Sequence, residues 1–223
     1  KVLEFDTLEE LKQFDNSFEE FMDENLDQSN EVIKVFSKYS EVKSYHSVPT
    51  VQKSGRLHLN ENLFKPSPKC LEVLKNVTIE DLYLYDLGRN DELVDVLASS
   101  TGISSNNIFV HNGSAEVIKS IGSILLNEND IVLIPSPGWS YYKSVADTKF
   151  AKSITYEVCE RNDTYEYNIE DILQKAKENN PKVIIITSPQ MPTGCSISHD
   201  DIEKVIKENT NSIVLLDEAH WRS

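Results

Sequence analysis

The 223-residue sequence predicts an α/β fold built around a largely parallel β-sheet. Two observations predict it. From residue 107 onward, short apolar segments rich in Ile and Val alternate with segments of helical periodicity. These apolar segments are typical of strands that are buried on both faces. Strands and helices that alternate in this way form right-handed βαβ crossovers, which place the strands in parallel.

The elements follow in chain order. Apolar residues at helical spacing predict helices between Phe18 and Tyr39, and residues 44–54 are predicted to form a connecting arm because they contain Pro49 and show no periodicity. The predicted strands are Ile108–His111, Ile131–Pro135, Val183–Thr187 and Ile213–Asp217, and the predicted helices are Ala115–Leu126, Ile169–Glu178 and Asp200–Lys207. Ser198 is expected to cap the last of these helices.

Ligands of parallel sheets bind beyond the carboxyl ends of the strands. We therefore expect the chemistry of this protein just after His111, Pro135, Thr187 and Leu216.

Composition excludes several classes of function. The 22 basic and 37 acidic residues give a net charge of −15, which disfavours nucleic acid and anionic membranes as partners. The 3 cysteines lie far apart without a C-x-x-C motif, so neither a zinc site nor a disulfide framework is expected. No apolar run is long enough to span a bilayer, and no signal-peptide pattern is present, so we expect a cytoplasmic protein.

The first candidate site is the segment His-Asn-Gly-Ser-Ala-Glu at residues 111–116. It follows a predicted strand and opens a helix, where backbone N–H groups and the helix dipole favour an anion. Gly113 permits close approach of a ligand, and Ser114 adds a hydroxyl donor. The segment predicts a phosphate site, although a plain N-cap on a structural helix is the commoner explanation of such a motif alone.

Two loops after predicted strands supply further candidates. Trp139, in the first loop, has an indole suited to lie flat over a planar heteroaromatic ring, or to pack beneath the loop. The second loop, Ser188–Gly194, carries two prolines and a glycine, which fix its backbone geometry. A rigid β-to-α turn is the alternative interpretation of that loop.

Asp217 closes an apolar strand, where a carboxylate is costly unless its charge is paired. A pyridinium nitrogen would supply that partner, and a protonated ring of this kind is an electron sink for carbanion chemistry. The alternative is that Asp217 caps the next helix. A metal site that uses Asp217 and His220 is disfavoured because no third ligand is spaced nearby.

From about Leu57 to His220, the sequence resembles the fold-type I, class I/II aminotransferases, and it is most similar to their histidinol-phosphate aminotransferase branch. The motifs that carry the resemblance are Leu59-Asn60-Glu61-Asn62, Pro66-Ser67-Pro68, Tyr85-Asp86, Asn112-Gly113-Ser114, Pro137-Gly138-Trp139, Pro192-Thr193-Gly194 and Asp217-Glu218-Ala219. The resemblance implies, for residues 55–223, the three-layer, mostly parallel sheet of the large domain of pyridoxal-phosphate-dependent transferases. That domain is expected to be incomplete here and to follow an N-terminal helical arm.

The resemblance also implies the cofactor, pyridoxal 5'-phosphate, and the residues that hold it. The cofactor phosphate is expected at Gly113, Ser114 and Ala115, the ring between Trp139 and Ala219, and the ring nitrogen at Asp217. Tyr85 is expected to reach the cofactor phosphate of the neighbouring subunit, which implies a homodimer. Asn62 is expected near the substrate.

Two departures from the family pattern concern the phenolic oxygen of the cofactor. Met191 stands where the family has an Asn that donates to this oxygen, and His220 stands where it has a Tyr. His220 can still donate, whereas Met191 cannot. We expect an altered protonation balance at the cofactor, which Met191→Asn in the whole protein would shift.

The resemblance implies amino-group transfer between an amino acid, or an amino phosphate or phosphonate, and a 2-oxo acid or aldehyde. The Schiff-base lysine is expected beyond Ser223, so the chain alone is expected to be inactive. A decarboxylase or lyase with the same cofactor and a non-catalytic module of the same fold are the alternatives.

The first residues, Val2–Leu11, resemble the closing strand and helix of nucleotidyltransferases of the sugar-phosphate or cytidylyl type. Residues 1–17 are therefore expected to be either the tail of such a domain or an N-terminal arm, with 18–54 as a helical linker.

Overall fold

The structure is a computed structural model of the chain and describes residues 34, 37–40, 42–43, 60–61, 64–85 and 90–220. The chain divides into two units, Lys1–Ser44 and Tyr45–Ser223. In the first unit, the described residues 34 and 37–40 are helical. The rest of the helices predicted from Phe18, the segment 1–17 and the connecting arm 44–54 lie outside the described residues.

The described part of the second unit begins with helices α1 (Pro68–Lys75), α2 (Ile79–Tyr83) and α3 (Asn90–Thr101), followed by a 3₁₀ turn at Ser105–Asn107. Local sequence signals account for the starts of the first two. Ser67 accepts a hydrogen bond from the Lys69 backbone N–H, and Pro68 occupies the first turn of α1. Thr78 and Asp81 form a reciprocal capping box on α2.

A five-stranded sheet with its helices forms the rest of the unit. Its elements are α4 (Gly113–Leu125), β1 (Ile131–Ser136), α5 (Ser140–Asp147), β2 (Lys152–Arg161), β3 (Thr164–Tyr167), α6 (Ile169–Asn179), β4 (Val183–Thr187), α7 (His199–Glu208) and β5 (Ile213–Asp217). The strand order is β3-β2-β1-β4-β5, and every pairing is parallel except the β2–β3 hairpin. The predicted mostly parallel sheet is thus confirmed.

Apolar residues cover both faces of the sheet, because successive side chains of a strand point to opposite sides. On one face, Leu133 and Ile184 pack in a buried cluster with α6 and α7. On the other face, Val132 and Ile185 pack in a second cluster with α4 and α5. The sheet therefore lies between two helical layers, which confirms the three-layer architecture.

Most predicted elements of this unit are present. The strands Val183–Thr187 and Ile213–Asp217 match their predictions, and Ile131–Pro135 extends to Ser136. The helices predicted at Ala115–Leu126, Ile169–Glu178 and Asp200–Lys207 are all observed, with ends that differ from the predictions by at most two residues. The Ser198 hydroxyl accepts a hydrogen bond from the Asp201 backbone N–H at 3.1 Å, so its role as a cap is confirmed.

The strand predicted at Ile108–His111 is wrong. The backbone at Ile108 is extended, with φ −110° and ψ 125°, but residues 108–111 pair with no described strand. Phe109 is 73% exposed. A strand needs a hydrogen-bonded neighbour, and an apolar local pattern does not supply one.

Sequence periodicity missed the helices α1, α2, α3 and α5 and the β2–β3 hairpin. The hairpin carries a signal that would have revealed it, because Asn162 and Asp163 connect its strands with φ angles of 49° and 64°. Asn and Asp are favoured in two-residue hairpin turns that need positive φ at both positions. Among the helices of the described residues, none is long and apolar enough to cross a membrane.

Candidate functional site

The candidate site lies at the carboxyl ends of β1, β4 and β5, which are neighbours in the sheet. Thr187 pairs with Asp217 in the β4–β5 register, and the Ser188 backbone N–H donates to the Asp217 carbonyl at 2.9 Å. Three of the four predicted positions, those after Pro135, Thr187 and Leu216, are thereby brought to one edge of the sheet.

Gln190 joins the two loops that leave this edge. Its side chain is almost fully buried, and its Nε2 donates to the Pro137 carbonyl at 2.5 Å. Its Oε1 accepts from the Thr193 backbone N–H at 3.0 Å and from the Thr193 hydroxyl at 2.5 Å. The loop that carries Trp139 and the loop Ser188–Gly194 are therefore held together by one buried amide.

The Asp217 side chain is only 7% exposed and is held by two neutral donors. The Tyr142 hydroxyl donates to Oδ2 at 2.6 Å, and the Ala219 backbone N–H donates to Oδ1 at 3.0 Å. The ion pairs among the described residues do not include Asp217. A buried carboxylate without a cationic partner is costly, so this position is suited to a ligand that brings positive charge.

Tyr142 stays protonated beside this carboxyl group. Burial, and then the hydrogen bond to Asp217, raise the pKa of the Tyr142 hydroxyl well above its usual value. The Tyr142 oxygen also lies 2.9 Å from the Thr187 hydroxyl oxygen. Each carboxylate oxygen has two acceptor sites, so Asp217 keeps acceptor capacity for a further donor.

Trp139 lies beside Tyr142 at the start of α5. Its ring is half-buried and lies at 4.7 Å from the ring of Tyr141 and, edge-on, at 5.5 Å from the ring of Tyr142. Trp139 is thus connected to Asp217 through a single intervening side chain. Both interpretations of Trp139, packing under the loop and stacking on a ligand, are compatible with this position.

The amino terminus of α4 is suited to an anion. Gly113 has a φ of +80° with no heavy atom within 4 Å of an added Cβ, so this glycine is required by its backbone conformation and not by crowding. Asn112, at the N-cap, makes no side-chain capping hydrogen bond. Ser114 is exposed and Ala115 half-buried. The Gly113 backbone N–H donates to the His111 carbonyl at 2.8 Å, and the following first-turn N–H groups, at the positive end of the helix dipole, are suited to bind an anion.

The other predicted residues differ in position. Ala219 is exposed and contributes its backbone N–H to Asp217, while His220 is half-buried. Tyr85 is 94% exposed. Asn62 lies outside the described residues.

Met191 has a neighbour that its sequence context did not suggest. The Asn60 side-chain Nδ2 donates to the Met191 sulfur at 3.2 Å. The Asn60-Glu61 segment therefore reaches the loop Ser188–Gly194.

Sequence reasoning missed the roles of Tyr142, Thr187 and Gln190 in holding the site. The three-residue spacing of Trp139 and Tyr142 at the start of α5 was a usable signal, because side chains at that spacing lie on one helix face. No local signal marks Gln190, because its hydrogen-bond partner, the Pro137 carbonyl, lies in the loop that follows a different strand, β1.

The profile of the family "Aminotransferase class I and II" matches residues 56–222. Histidinol-phosphate aminotransferase of Clostridium botulinum (strain Hall) is 31% identical over 172 residues, which cover 77% of this chain and 46% of that relative. The corresponding protein of Ruminiclostridium cellulolyticum is 30% identical over 185 residues, with coverages of 81% and 51%. The chain thus spans about half the length of the curated relatives it matches.

Solved structures show the same fold. Histidinol-phosphate aminotransferase from Sinorhizobium meliloti, in complex with pyridoxal-5'-phosphate, has a TM-score of 0.65 at 20% identity, covering 72% of this chain and 43% of that one. A PLP-bound putative aminotransferase from Clostridium difficile 630 has a TM-score of 0.60 at 25% identity, with coverages of 70% and 42%. Cystalysin from Treponema denticola, which contains pyridoxal 5'-phosphate, has a TM-score of 0.63 at 19% identity, with coverages of 82% and 46%.

Proposed function

Because the chain belongs to the class I and II aminotransferase family, we propose that the full-length protein transfers an amino group with pyridoxal phosphate as cofactor. The donor is an amino acid or an amino phosphate or phosphonate, and the acceptor is a 2-oxo acid or aldehyde. The observation that carries the proposal is Asp217, a buried carboxyl group whose donors among the described residues are neutral, at the carboxyl end of a mostly parallel sheet.

The described residues fit the chemical parts of this cofactor. Asp217 would accept a hydrogen bond from the protonated ring nitrogen, and its negative charge would keep that nitrogen protonated. The first-turn N–H groups of α4 and the Ser114 hydroxyl would bind the phosphate, whose charge matches the helix dipole. Trp139 would cover the ring. When bound, the cofactor supplies an electron sink for the electron pair released at the substrate α-carbon.

The chain's own residues hold the two loops of the site together and orient the groups that would face the cofactor ring. Gln190 fixes the loop of Trp139 against the loop Ser188–Gly194, so the position of the indole does not depend on a ligand. Asp217 is buried next to the second of these loops, since the Ser188 backbone N–H donates to its carbonyl, and burial strengthens any charge interaction with a bound ring. Preorganised groups of this kind lower the cost of charge development during a reaction.

We also propose that the protein acts as a homodimer in which Tyr85 contributes to the partner's site. Tyr85 is 94% exposed, and the neighbouring Leu82 is 76% exposed. Exposed aromatic and apolar side chains that lie close together are typical of a surface that another chain covers. Sedimentation of the full-length protein would measure the dimer, and titration of the cofactor absorbance in the Tyr85→Ser variant would measure the cofactor affinity.

Met191 favours a second candidate, a non-catalytic module of the same fold. Its thioether does not donate a hydrogen bond, and its sulfur accepts one from Asn60. One fold hosts many functions, so the fold alone does not select one reaction over another.

The test is to express the full-length protein with pyridoxal phosphate, record its visible absorbance, and map the peptide labelled after borohydride reduction. A yellow protein with the label on a lysine, and 2-oxo products formed from a panel of amino acids, amino phosphates and aminophosphonates, is the expected result. Release of carbon dioxide or of a side-chain fragment would identify a decarboxylase or lyase instead. A colourless protein without label would overturn the proposal and favour the non-catalytic module.

A further inference from the structure

We infer that Tyr142 is the positioning residue of this site, which fixes Asp217 as an oriented, uncompensated acceptor for a ring nitrogen and at the same time supports Trp139. The inference rests on the proposed function, since it concerns how the same site holds the cofactor ring.

The geometry places Tyr142 between the two residues. Tyr142 is 2% exposed and lies on α5, with its hydroxyl 2.6 Å from Asp217 Oδ2. The edge of its ring faces the ring of Trp139 at a centroid distance of 5.5 Å and an interplanar angle of 80°. One side chain thus touches both the group proposed to pair with the ring nitrogen and the group proposed to cover the ring.

Both oxygens of Asp217 are occupied by donors from different parts of the chain. Tyr142 is bound to Oδ2, and the Ala219 backbone N–H is bound to Oδ1 at 3.0 Å. Rotation of the carboxyl group would break one or both of these hydrogen bonds. The carboxyl plane is therefore fixed before a ligand arrives, and the unused acceptor sites keep a constant direction.

The chemical type of the donor matters as much as its place. A Lys or Arg at position 142 would orient Asp217 equally well, but it would neutralise the charge and compete with a protonated ring nitrogen. A phenol donates a hydrogen bond without supplying a charge. Because burial raises the pKa of Tyr142 well above its usual value, the hydroxyl remains a donor throughout the physiological range.

Thr187 adds a second layer to this arrangement. Its hydroxyl oxygen lies 2.9 Å from the Tyr142 oxygen, and its backbone pairs with Asp217 in the β4–β5 register. When the Thr187 hydroxyl donates to the Tyr142 oxygen, it polarises the phenol. The hydrogen bond that Tyr142 donates to the Asp217 carboxylate is thereby strengthened.

The experiment compares two ligands on the full-length protein. Pyridoxal phosphate carries the ring nitrogen, whereas its 1-deaza analogue has a C–H in the same place and is otherwise equal in shape. We expect Tyr142→Phe to weaken the binding of pyridoxal phosphate by about fivefold to tenfold, the scale of one ordinary hydrogen bond, because Asp217 keeps its charge but loses its orientation. Binding of the analogue should change by less than about twofold, because the analogue does not use the oriented charge of Asp217.

Tyr156→Phe is the matched control. Tyr156 is also fully buried, and its hydroxyl donates to the Ile185 carbonyl at 2.9 Å and not to Asp217. Any loss in this variant should be the same for both ligands. Thr187→Val serves as a second variant, since it keeps the Tyr142 hydroxyl and should show the same selective loss at a smaller size.

Nitrogen-15 NMR of the ring-labelled cofactor gives a readout that a purely structural role would not move. The wild-type protein should show the shift of a protonated ring nitrogen, and Tyr142→Phe should move it toward that of a neutral pyridine. Equal loss of both ligands, or an unchanged nitrogen shift with unchanged affinity, would overturn the inference. A wild-type protein that binds neither ligand would overturn the proposed function itself, which is a distinct outcome.

Discussion

The two ends of the central sheet treat a carboxylate in opposite ways. At the amino ends of β1 and β4, Asp130 accepts from the Lys182 ammonium group at 2.7 Å, and both side chains are partly exposed, at 25% and 38%. At the carboxyl end, Asp217 is buried and held by a phenol and a backbone N–H. The first arrangement neutralises a charge within the chain, whereas the second leaves Asp217 without a cationic partner among the described residues, which we propose is supplied by the cofactor.

This difference separates structure from function within one sheet. A Lys partner stabilises Asp130 by a modest amount because solvent screens the pair. Among the residues that the structure describes, Asp217 has no such partner, although burial makes the charge more costly there. Sites that retain an unfavourable local feature of this kind are expected to be functional sites.

The largest expected effect is at Asp217. In the full-length protein, Asp217→Asn should lower kcat/KM for amino transfer by about 10²–10³-fold, because an amide does not pair with a protonated ring nitrogen. The Asn side-chain oxygen still accepts one hydrogen bond from Tyr142, so the fold should be kept. Kinetics and nitrogen-15 NMR measure the change. Asp147→Asn, on the same helix as Tyr142, is the control and should stay within about twofold. Near-normal activity of Asp217→Asn would show that the charge of Asp217 is not used, and the contrast between Asp217 at the carboxyl end of the sheet and Asp130 at the amino end would then fail.

The next effect concerns the framework of the carboxyl end. Gln190→Ala removes the buried amide that bonds both Pro137 and Thr193, and it leaves their polar groups without that partner. We expect a loss of about 2–3 kcal/mol in the free energy of unfolding, measured by urea denaturation. Gln174→Ala removes an exposed glutamine from α6 and should cost less than about 0.5 kcal/mol. Equal effects of the two variants would show that Gln190 does not hold the loops together.

How much of this was accessible from the sequence differs between features. The apolar segments that end in Thr187 and Asp217 were enough to predict the position of the site, because ligands of parallel sheets bind beyond the carboxyl ends of the strands. The bond from Tyr142 to Asp217 joins residues 75 positions apart, and no local pattern encodes it. Strand β2 contains exposed, half-buried and buried residues and lacks the continuous apolar pattern of β4. Its sequence therefore does not show the pattern from which the other strands were predicted.

A smaller effect distinguishes conformation from ligand binding at the helix that opens toward the site. Gly113 and Gly102 both have positive φ, +80° and +74°, and neither has an atom within 4 Å of an added Cβ. Replacing either by Ala should therefore cost about 1 kcal/mol of stability from backbone strain alone. Only Gly113→Ala should also weaken the binding of pyridoxal phosphate, measured by titration of its absorbance. A matching loss of affinity in Gly102→Ala would locate the phosphate elsewhere.

The smallest effect lies at the amino end, where Asp130 accepts hydrogen bonds from the Lys182 ammonium group and, at 2.7 Å, from the Asn127 backbone N–H. The hydrogen bond from Lys182 lowers the pKa of Asp130 below its ordinary value of 3.8. A group whose folded pKa is lowered stabilises the fold above its unfolded pKa, and this stabilisation is lost as the pH falls from about 3.8 through the folded value.

Asp130→Asn should therefore cost about 0.5 kcal/mol at pH 6, a value reduced by solvent screening, and nothing once the pH lies below both pKa values. Urea unfolding of both proteins across this range measures the difference, with Glu203→Gln, which removes the exposed pair with Lys207, as a control that should leave stability unchanged. A cost that persists at the acidic end would mean that Asp130 acts through packing and not through charge, and the electrostatic contrast with Asp217 would then fail at this end of the sheet.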